Sequence, residues 1–561
     1  MKTRTEKTLL LATVLLVSAA NGFAGSNEKG IEYYRAGLYG AAKIYFMQQK
    51  NLSATKQAEA CYYLGQTCYK QNQPDSALYF YEEAVKVDPE YPFGYVGLGE
   101  LEVKNNPKSA EDFFKKAFGL AKKDASIPTE VAGIYIGEGN RIKAEEALER
   151  ARKVNKKYSG IFVAEGDMLK KEGKIGDACS SYENAILFDI NDKTAYLRLA
   201  QAYKGINPDL ALQYLNQLME IDPNYIPAYA EIGDINYDRG RYKAALEAYE
   251  KFIAVPGVPL TQHERYAFAL YFDEQYDKSQ EEVKYVLSQD PDNSVMYRIE
   301  AYNNYKNKNF ELGLQQMDKF IRDTPKEKHI YYDYVTLGDL QIEMKQPESA
   351  IESYKKSLEL DSTKTIVYDK LAIAAENAKN FPLAIEYYEK SFEINPDFSL
   401  MSLFSYGQAN FSAASYYIDP QTIAAETTPE SAAANDTTFN IYIQKGTKAF
   451  SDVITRKPDT HWGYLWRANI SALVDSYNQL REKPMTGVAK PYYEEALAFM
   501  LENNTNSARN NDIISCYRYL ASYYFTLEDL TLVGECYKKV LEIAPDNEQA
   551  KKTLDMLKMK Y

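Results

Sequence analysis

The residues of this 561-residue chain that could carry out chemistry are three histidines, five cysteines and several adjacent carboxylates, and their spacing points away from a reaction centre. A zinc hydrolase needs two histidines one helical turn apart, or paired cysteines, so that several ligands converge on one ion. His263, His329 and His461 are far apart, and none has an HExxH or paired-cysteine frame. A phosphate cradle needs a glycine-rich loop followed by lysine and a hydroxyl residue. GEGN at Gly137 lacks both, and GKIGDACSS around Gly173 reads as a turn between helices. Glu82 with Glu83, and Glu145 with Glu146, fall on outer helix faces, where solvation accounts for them. The chain is therefore expected to be no enzyme and to hold no metal or cofactor.

The cysteines do not read as a disulfide framework. Cys61 and Cys68 fall on one predicted helix, about 10.5 Å apart along its axis and beyond disulfide reach. Cys179 has no evident partner. Cys516 and Cys536 sit on the two helices of one hairpin, where spacing alone permits a bridge, but buried free thiols are the simpler reading.

The elements that would position any site recur along the chain. Tyr62 to Pro89 reads YYLGQTCYKQNQPDSALYFYEEAVKVDP, in which Cys61, Leu64, Gly65 and Cys68 make one helical stripe and Ala77, Tyr81 and Ala84 another. QNQPDS between them is turn chemistry, and Asp88-Pro89 stops the second helix. The small residue returns at Gly30, Gly65, Gly99, Gly133, Gly166, Ala200, Gly233, Ala267, Ala301, Gly338 and Ala372, in steps of 33 to 37 residues. A second small track runs through Ala42, Ala77, Ala110, Ala144, Ala178, Ala211, Ala245, Ala350 and Ala384. A bulky track includes Phe46, Tyr81, Phe114, Tyr182, Tyr249, Tyr354 and Tyr388. Pro89, Pro223, Pro291, Pro325 and Pro396 close units. A position that keeps asking for the same residue also accounts for 50 tyrosines beside only 2 tryptophans.

Three tracks in phase resemble the tetratricopeptide-repeat family, whose 34-residue helix-turn-helix units carry a small residue in each helix, aromatics between them and a closing proline. The clearest copies begin at Tyr229, Tyr334 and Tyr368, and the copy from Arg298 keeps the phase without its glycine. The resemblance implies an all-α, right-handed superhelical solenoid of about fourteen antiparallel hairpins. In it Gly65 lets its helix approach Ala77, and Tyr81 fills the wedge toward the next hairpin. The expected organisation is a repeat solenoid over 25–417, a low-complexity insertion over 418–437, and divergent hairpins with a capping helix over 438–561. The insertion, within IDPQTIAAETTPESAAANDTT, reads as a solvated loop. The sharper alternative is that it folds over the groove or holds a partner beside Trp462 and Trp466.

At the N-terminus, Lys2, Arg4 and Lys7 precede an apolar run from Leu9 to Ala20 and then small residues, the layout of a secretory signal over 1–24. No cysteine follows the run to take a lipid, and no later stretch is long enough to span a bilayer. Without those 24 residues, which hold three basic groups and one acid, the net charge of −13 becomes −15. Such a surface is repelled by nucleic acid and by anionic membranes. The expected location is the bacterial periplasm, soluble or peripherally membrane-associated.

The resemblance places partner-binding residues on the first helix of each hairpin, along a concave groove. In this sequence those positions hold Tyr62, Gln66 and Tyr69, then Asp167 and Lys170, Asp234 and Tyr237, Val335 and Asp339, Asp369 and Glu376, and Arg518 and Ser522. Their carboxylates and tyrosines suit a protein or peptide with basic and apolar groups. The basic and asparagine clamp by which some relatives hold acidic peptides is absent. The expected function is a non-enzymatic protein-binding scaffold or adaptor. A fixed subunit of a secretion or nutrient-uptake complex, and a binder of cell-wall glycan through the many tyrosines, are the alternatives.

Overall fold

The computed structural model describes residues 26–50, 52–503 and 507–559, so the predicted signal lies outside the described residues. Within them every regular element is a helix. Among the described residues, 28 of the 30 α-helices pair into fourteen hairpins, and the other two are Pro420–Ala424 and Glu548–Met556. None is long and apolar enough to cross a membrane.

The chain divides into two compact units, residues 1–299 and 300–561. The first holds eight hairpins, from Glu28–Arg35 with Tyr39–Gln48 to Leu260–Phe272 with Tyr276–Gln289. Consecutive first helices touch one another from Ala54–Lys70 through Leu260–Phe272, which puts that layer on the inside of the curve. The second unit holds Phe310–Asp323 and then five hairpins, from Tyr331–Glu343 with Pro347–Leu360 to Asn510–Thr526 with Leu530–Ile543.

The repeated small residue makes room for a ring. A Cβ added to Gly65 would lie 2.4 Å from Tyr81, and the same holds for Gly338 against Tyr354, while Gly233 against Tyr249 gives 2.5 Å. On its other side Tyr81 meets Gly97 of the next hairpin, where a Cβ would again be 2.4 Å away. The ring is therefore the wedge between hairpins, and the glycine admits the ring rather than the Ala77 helix. Ala77, Ala245, Ala350, Ala372 and Ala384 are fully buried, as are Tyr81 and Tyr249, with Tyr354 and Tyr388 nearly so.

The Asp-Pro stop has a visible cause. Asp88 Oδ1 accepts the Glu90 N–H at 3.1 Å, and Asp222 does the same for Asn224 at 3.0 Å, so the side chain turns the backbone out of the helix. Six residues after the proline a tyrosine closes the turn: Tyr95 donates to the Pro89 carbonyl at 3.1 Å and Tyr229 to that of Pro223 at 3.0 Å. That is a second repeated use for tyrosine.

The insertion is not a loop. Pro420–Ala424 is followed by Pro429–Arg456, one 28-residue helix that is also the second helix of the twelfth hairpin, so no boundary falls at 437. Thr428 caps it by accepting from the Ser431 N–H at 3.1 Å. The segment packs on the thirteenth hairpin through Glu426 with Arg481 at 2.6 Å and a Phe439–Tyr477 stack at 4.2 Å. Trp462 and Trp466 are half-buried against Phe404, with ring centres 4.3 and 6.0 Å away, and serve the core.

Candidate functional site: the inner helices of each unit

The acid that follows the small residue is consumed inside the hairpin. Tyr182 donates its hydroxyl to Asp167 at 2.8 Å, Tyr249 to Asp234 at 2.8 Å and Tyr354 to Asp339 at 2.7 Å. Burial and the adjoining carboxylate push these phenols well above their ordinary range. Cations from neighbouring hairpins complete each network. Arg198 lies 3.4 Å from Asp167, Lys204 and Arg265 lie 2.8 and 3.1 Å from Asp234, and Lys370 lies 2.7 Å from Asp339. Tyr305 adds a bond to Asp339 at 3.2 Å.

In the first unit, Tyr62 and Gln66 are fully covered rather than open to a groove. Tyr62 donates to Glu130 at 3.0 Å, and Gln66 bridges Tyr34 and the buried Glu100 at 2.7 and 2.6 Å. Burial raises the Glu100 pKa, opposed by Lys70 at 3.6 Å and the Tyr81 hydroxyl at 2.9 Å. Tyr69, Asp167 and Lys170 are half-buried. Asp234 is buried, and Tyr237 stacks edge-on against Tyr242 beneath Arg265. A chamber of about 280 Å³ remains inside, lined among others by Arg35, Glu130, Gly133, Tyr158, Asp167 and Arg198.

In the second unit Val335 is a core residue packed with Ala350 and Tyr354, so it does not line a groove. Asp339 is spent as described. Asp369 and Glu376 differ: they lie two turns apart on Thr365–Asn377, and no cation is within ion-pair distance of either among the described residues. Asp369 accepts the Ser402 hydroxyl at 3.0 Å through one oxygen, and its other oxygen is buried without a hydrogen bond. Glu376 meets only the Tyr388 hydroxyl, at 3.4 Å, and burial pushes its pKa up to about 7. Arg518 and Ser522 are exposed.

The remaining reactive residues are built into the packing. His263 pairs with Glu282, and His329 is buried between the Tyr334 hydroxyl at 3.0 Å and the Thr324 carbonyl at 3.1 Å. His461 lies 3.4 Å from Asp512. No group of three or more His, Cys, Asp or Glu among the described residues is placed to hold a metal ion. All five cysteines are free, and burial raises Cys516 to about 12 and Cys536 to about 11. The tyrosines of the repeat position are inside the hairpins, not displayed as sugar platforms.

Glu130 and Tyr34 were within reach of the repeat phase: Glu130 precedes Gly133 as Tyr62 precedes Gly65, and Tyr34 follows Gly30 as Tyr69 follows Gly65. Arg198 was within the same reach, since it stands two residues before Ala200 as Arg265 stands two before Ala267.

Family models described as tetratricopeptide repeat match residues 58–91, 194–225, 226–255, 334–364, 367–398 and 516–547. Among curated proteins the chain is 26% identical over 182 residues to a probable UDP-N-acetylglucosamine–peptide N-acetylglucosaminyltransferase SPINDLY of Hordeum vulgare, covering 32% of this chain and 16% of that protein. It is 22% identical over 211 residues to the protein O-mannosyl-transferase TMTC1 of Homo sapiens, covering 37% and 24%. The chain thus spans a quarter or less of the length of these relatives. Among solved structures, the C-terminal part of a repeat-containing protein from Cytophaga hutchinsonii is similar, at 23% identity and TM-score 0.39, over 52% of this chain and 99% of that one. A repeat protein from Parabacteroides merdae shares 19% identity at TM-score 0.30, over 45% and 98%.

Proposed function

This chain belongs to the tetratricopeptide-repeat family, and from that premise we propose that it is a non-enzymatic scaffold of the bacterial periplasm that holds a protein segment bearing lysine or arginine beside apolar residues. The observation that carries the proposal is the pair Asp369 and Glu376. Every other inner carboxylate described above is satisfied by tyrosine and, for Asp167, Asp234 and Asp339, by a cation of the chain itself. Among the described residues these two have no cation, and burial raises the Glu376 pKa to about 7. An incoming ammonium or guanidinium would supply what Lys204 and Arg265 supply to Asp234. Export is supported by the basic residues and apolar run before Ala24.

The test is cross-linking in cells of the tagged protein, followed by fractionation and mass spectrometry, with an Asp369→Asn/Glu376→Gln variant beside the native chain. A partner recovered with the native protein and reduced about tenfold with the variant is the expected result. Equal recovery from both would sink the assignment of this site.

A further inference from the structure

The first unit closes on itself. Its first hairpin stacks on the second, as the repeat requires, but it also meets the sixth and seventh hairpins more than 150 residues away (Lys193 to Glu32 spans 161). Lys193 pairs with Glu32, with Glu28 at 3.6 Å and with Asp222 at 3.0 Å. Arg198 donates to the Arg35 carbonyl at 3.1 Å, at the C-terminal end of the helix Glu28–Arg35. Ala36 packs on the cluster of Tyr196, Leu197 and Tyr225. One apolar cluster joins Leu38, Ala41 and Phe46 to Phe252 and Val258, and at Gly40 an added Cβ would lie 2.3 Å from the Gly257 carbonyl.

This seam is built differently from the joints between successive hairpins. Those joints are closed by the buried ring of the repeat, with a cavity of about 240 Å³ beside Phe114 and Tyr135 at one of them, whereas the seam adds ion pairs to its buried Phe46 and Phe252. Along the seam run polar-lined cavities of about 230 and 290 Å³, bounded by Glu32, Lys193 and Asp222 among others. Cavities forfeit packing contacts, and ion pairs that water can reach are weak, so the charged half of the seam around Lys193 costs less to open than its apolar half around Phe252 and Val258.

We propose that the seam is a helix-binding surface held in cis: hairpins six and seven are built to take a helix with two carboxylates one turn apart and a free C-terminal carbonyl, and a partner helix of that chemistry takes the place of Glu28–Arg35 when the ring opens. Lys193 reads the i and i+4 carboxylates, and Arg198 caps the helix end, where the last carbonyls and the negative end of the helix dipole attract a guanidinium. Gly257 leaves the room that a close-packed backbone needs. This site lies apart from the Asp369 and Glu376 pair and favours a partner of opposite charge.

The probe is a fluorescent peptide of residues 26–48 of this chain, titrated onto the full-length protein with hydrogen exchange followed in parallel. Glu32→Lys sets like charges against each other at Lys193 and should open the seam. Exchange over residues 28–36 then rises about tenfold, and the peptide binds about tenfold tighter than it binds the native chain, because the cis competitor is removed. The charge swap Glu32→Lys with Lys193→Glu restores native exchange and no longer takes up the native peptide, and it also controls for damage to folding. If the peptide binds the native and Glu32→Lys chains equally, or if residues 28–36 exchange no faster in Glu32→Lys, the proposal falls.

Discussion

Asp234 in the first unit and Glu376 in the second are both carboxylates on first helices, within about a turn of the repeat's small residue, and their surroundings are opposite. Asp234 holds Tyr249, Lys204 and Arg265 within about 3 Å. Among the described residues Glu376 has only Tyr388, at 3.4 Å. The cause is in the neighbours. Lys204 stands four residues after Ala200, and the corresponding place before the eleventh hairpin is Ile342; Arg265 stands two before Ala267, and its counterpart two before Gly407 is Ser405. The residue after Ala372 is Ile373, so Tyr388 has no acid in the usual place and reaches one turn on to Glu376. The repeat phase decides where a carboxylate sits, and adjacent repeats decide whether it is already spent.

The largest expected effect attacks the framework that holds Asp234. Gly233→Ala would put a Cβ 2.5 Å from the Tyr249 ring, which is fully buried and pinned by its hydrogen bond to Asp234. It should destabilise the first unit by about 3 kcal/mol in denaturant unfolding. Gly133→Ala, where nothing lies within 4 Å, is the control and should stabilise by about 0.5 kcal/mol through helix propensity. Equal costs at both sites would break the account of the glycine track.

Next in size is Asp234→Asn. It removes the charge facing Lys204 and Arg265 while leaving a hydrogen-bond acceptor for Tyr249. A loss of about 2 kcal/mol is expected, moderated because both cations can turn toward solvent.

Most of what separates these two residues can be read from the sequence once the phase is known. The hairpins, the Asp-Pro stops and the buried ring follow from contacts between adjacent elements, which a 34-residue period records. Two things did not follow. Residues 429–437 were hidden by their Ala, Thr and Ser content, although Thr428-Pro429-Glu430 carries an N-cap, a proline at the first helical position and an acid in the first turn. The joining of Glu32 to Lys193 was hidden more deeply, because it depends on the curvature accumulated over six hairpins and no local pattern encodes it. Tyr62, Gln66 and Val335 lie on first helices, and their burial depends on what covers them, which the repeat phase does not encode.

Glu376→Gln tests the other half of the comparison with a smaller effect of opposite sign. With a folded pKa of about 7 against 4.5 for the free side chain, the folded state binds the proton more tightly than the unfolded one. Stability from this group is therefore greatest below pH 4.5 and declines as pH rises to about 7. The neutral amide should be more stable than the native chain by about 1–2 kcal/mol at pH 8 and no more stable at pH 4, after allowance for partial exposure. A pH-independent difference in unfolding midpoint would show that Glu376 is not the titrating group.

The smallest effect is the sharpest test, because it tries to turn one region into the other. Ser405→Arg places a guanidinium at the repeat position from which Arg265 serves Asp234, on the helix that packs against Phe381–Ile394 and its Tyr388. A half-buried pair in that geometry should add only about 0.5 kcal/mol to stability at pH 7. Its effect on titration should be larger: the Glu376 carboxyl, followed by NMR in a labelled protein, should titrate well below 7, since a nearby cation favours the ionised form that burial disfavours. The decline in stability between pH 4.5 and 7 should flatten with it, and a partner that enters by its own lysine or arginine should lose affinity to the built-in competitor. A carboxyl that still titrates near 7 would mean that the neighbouring repeats do not decide the state of this position, and that burial within the eleventh hairpin does.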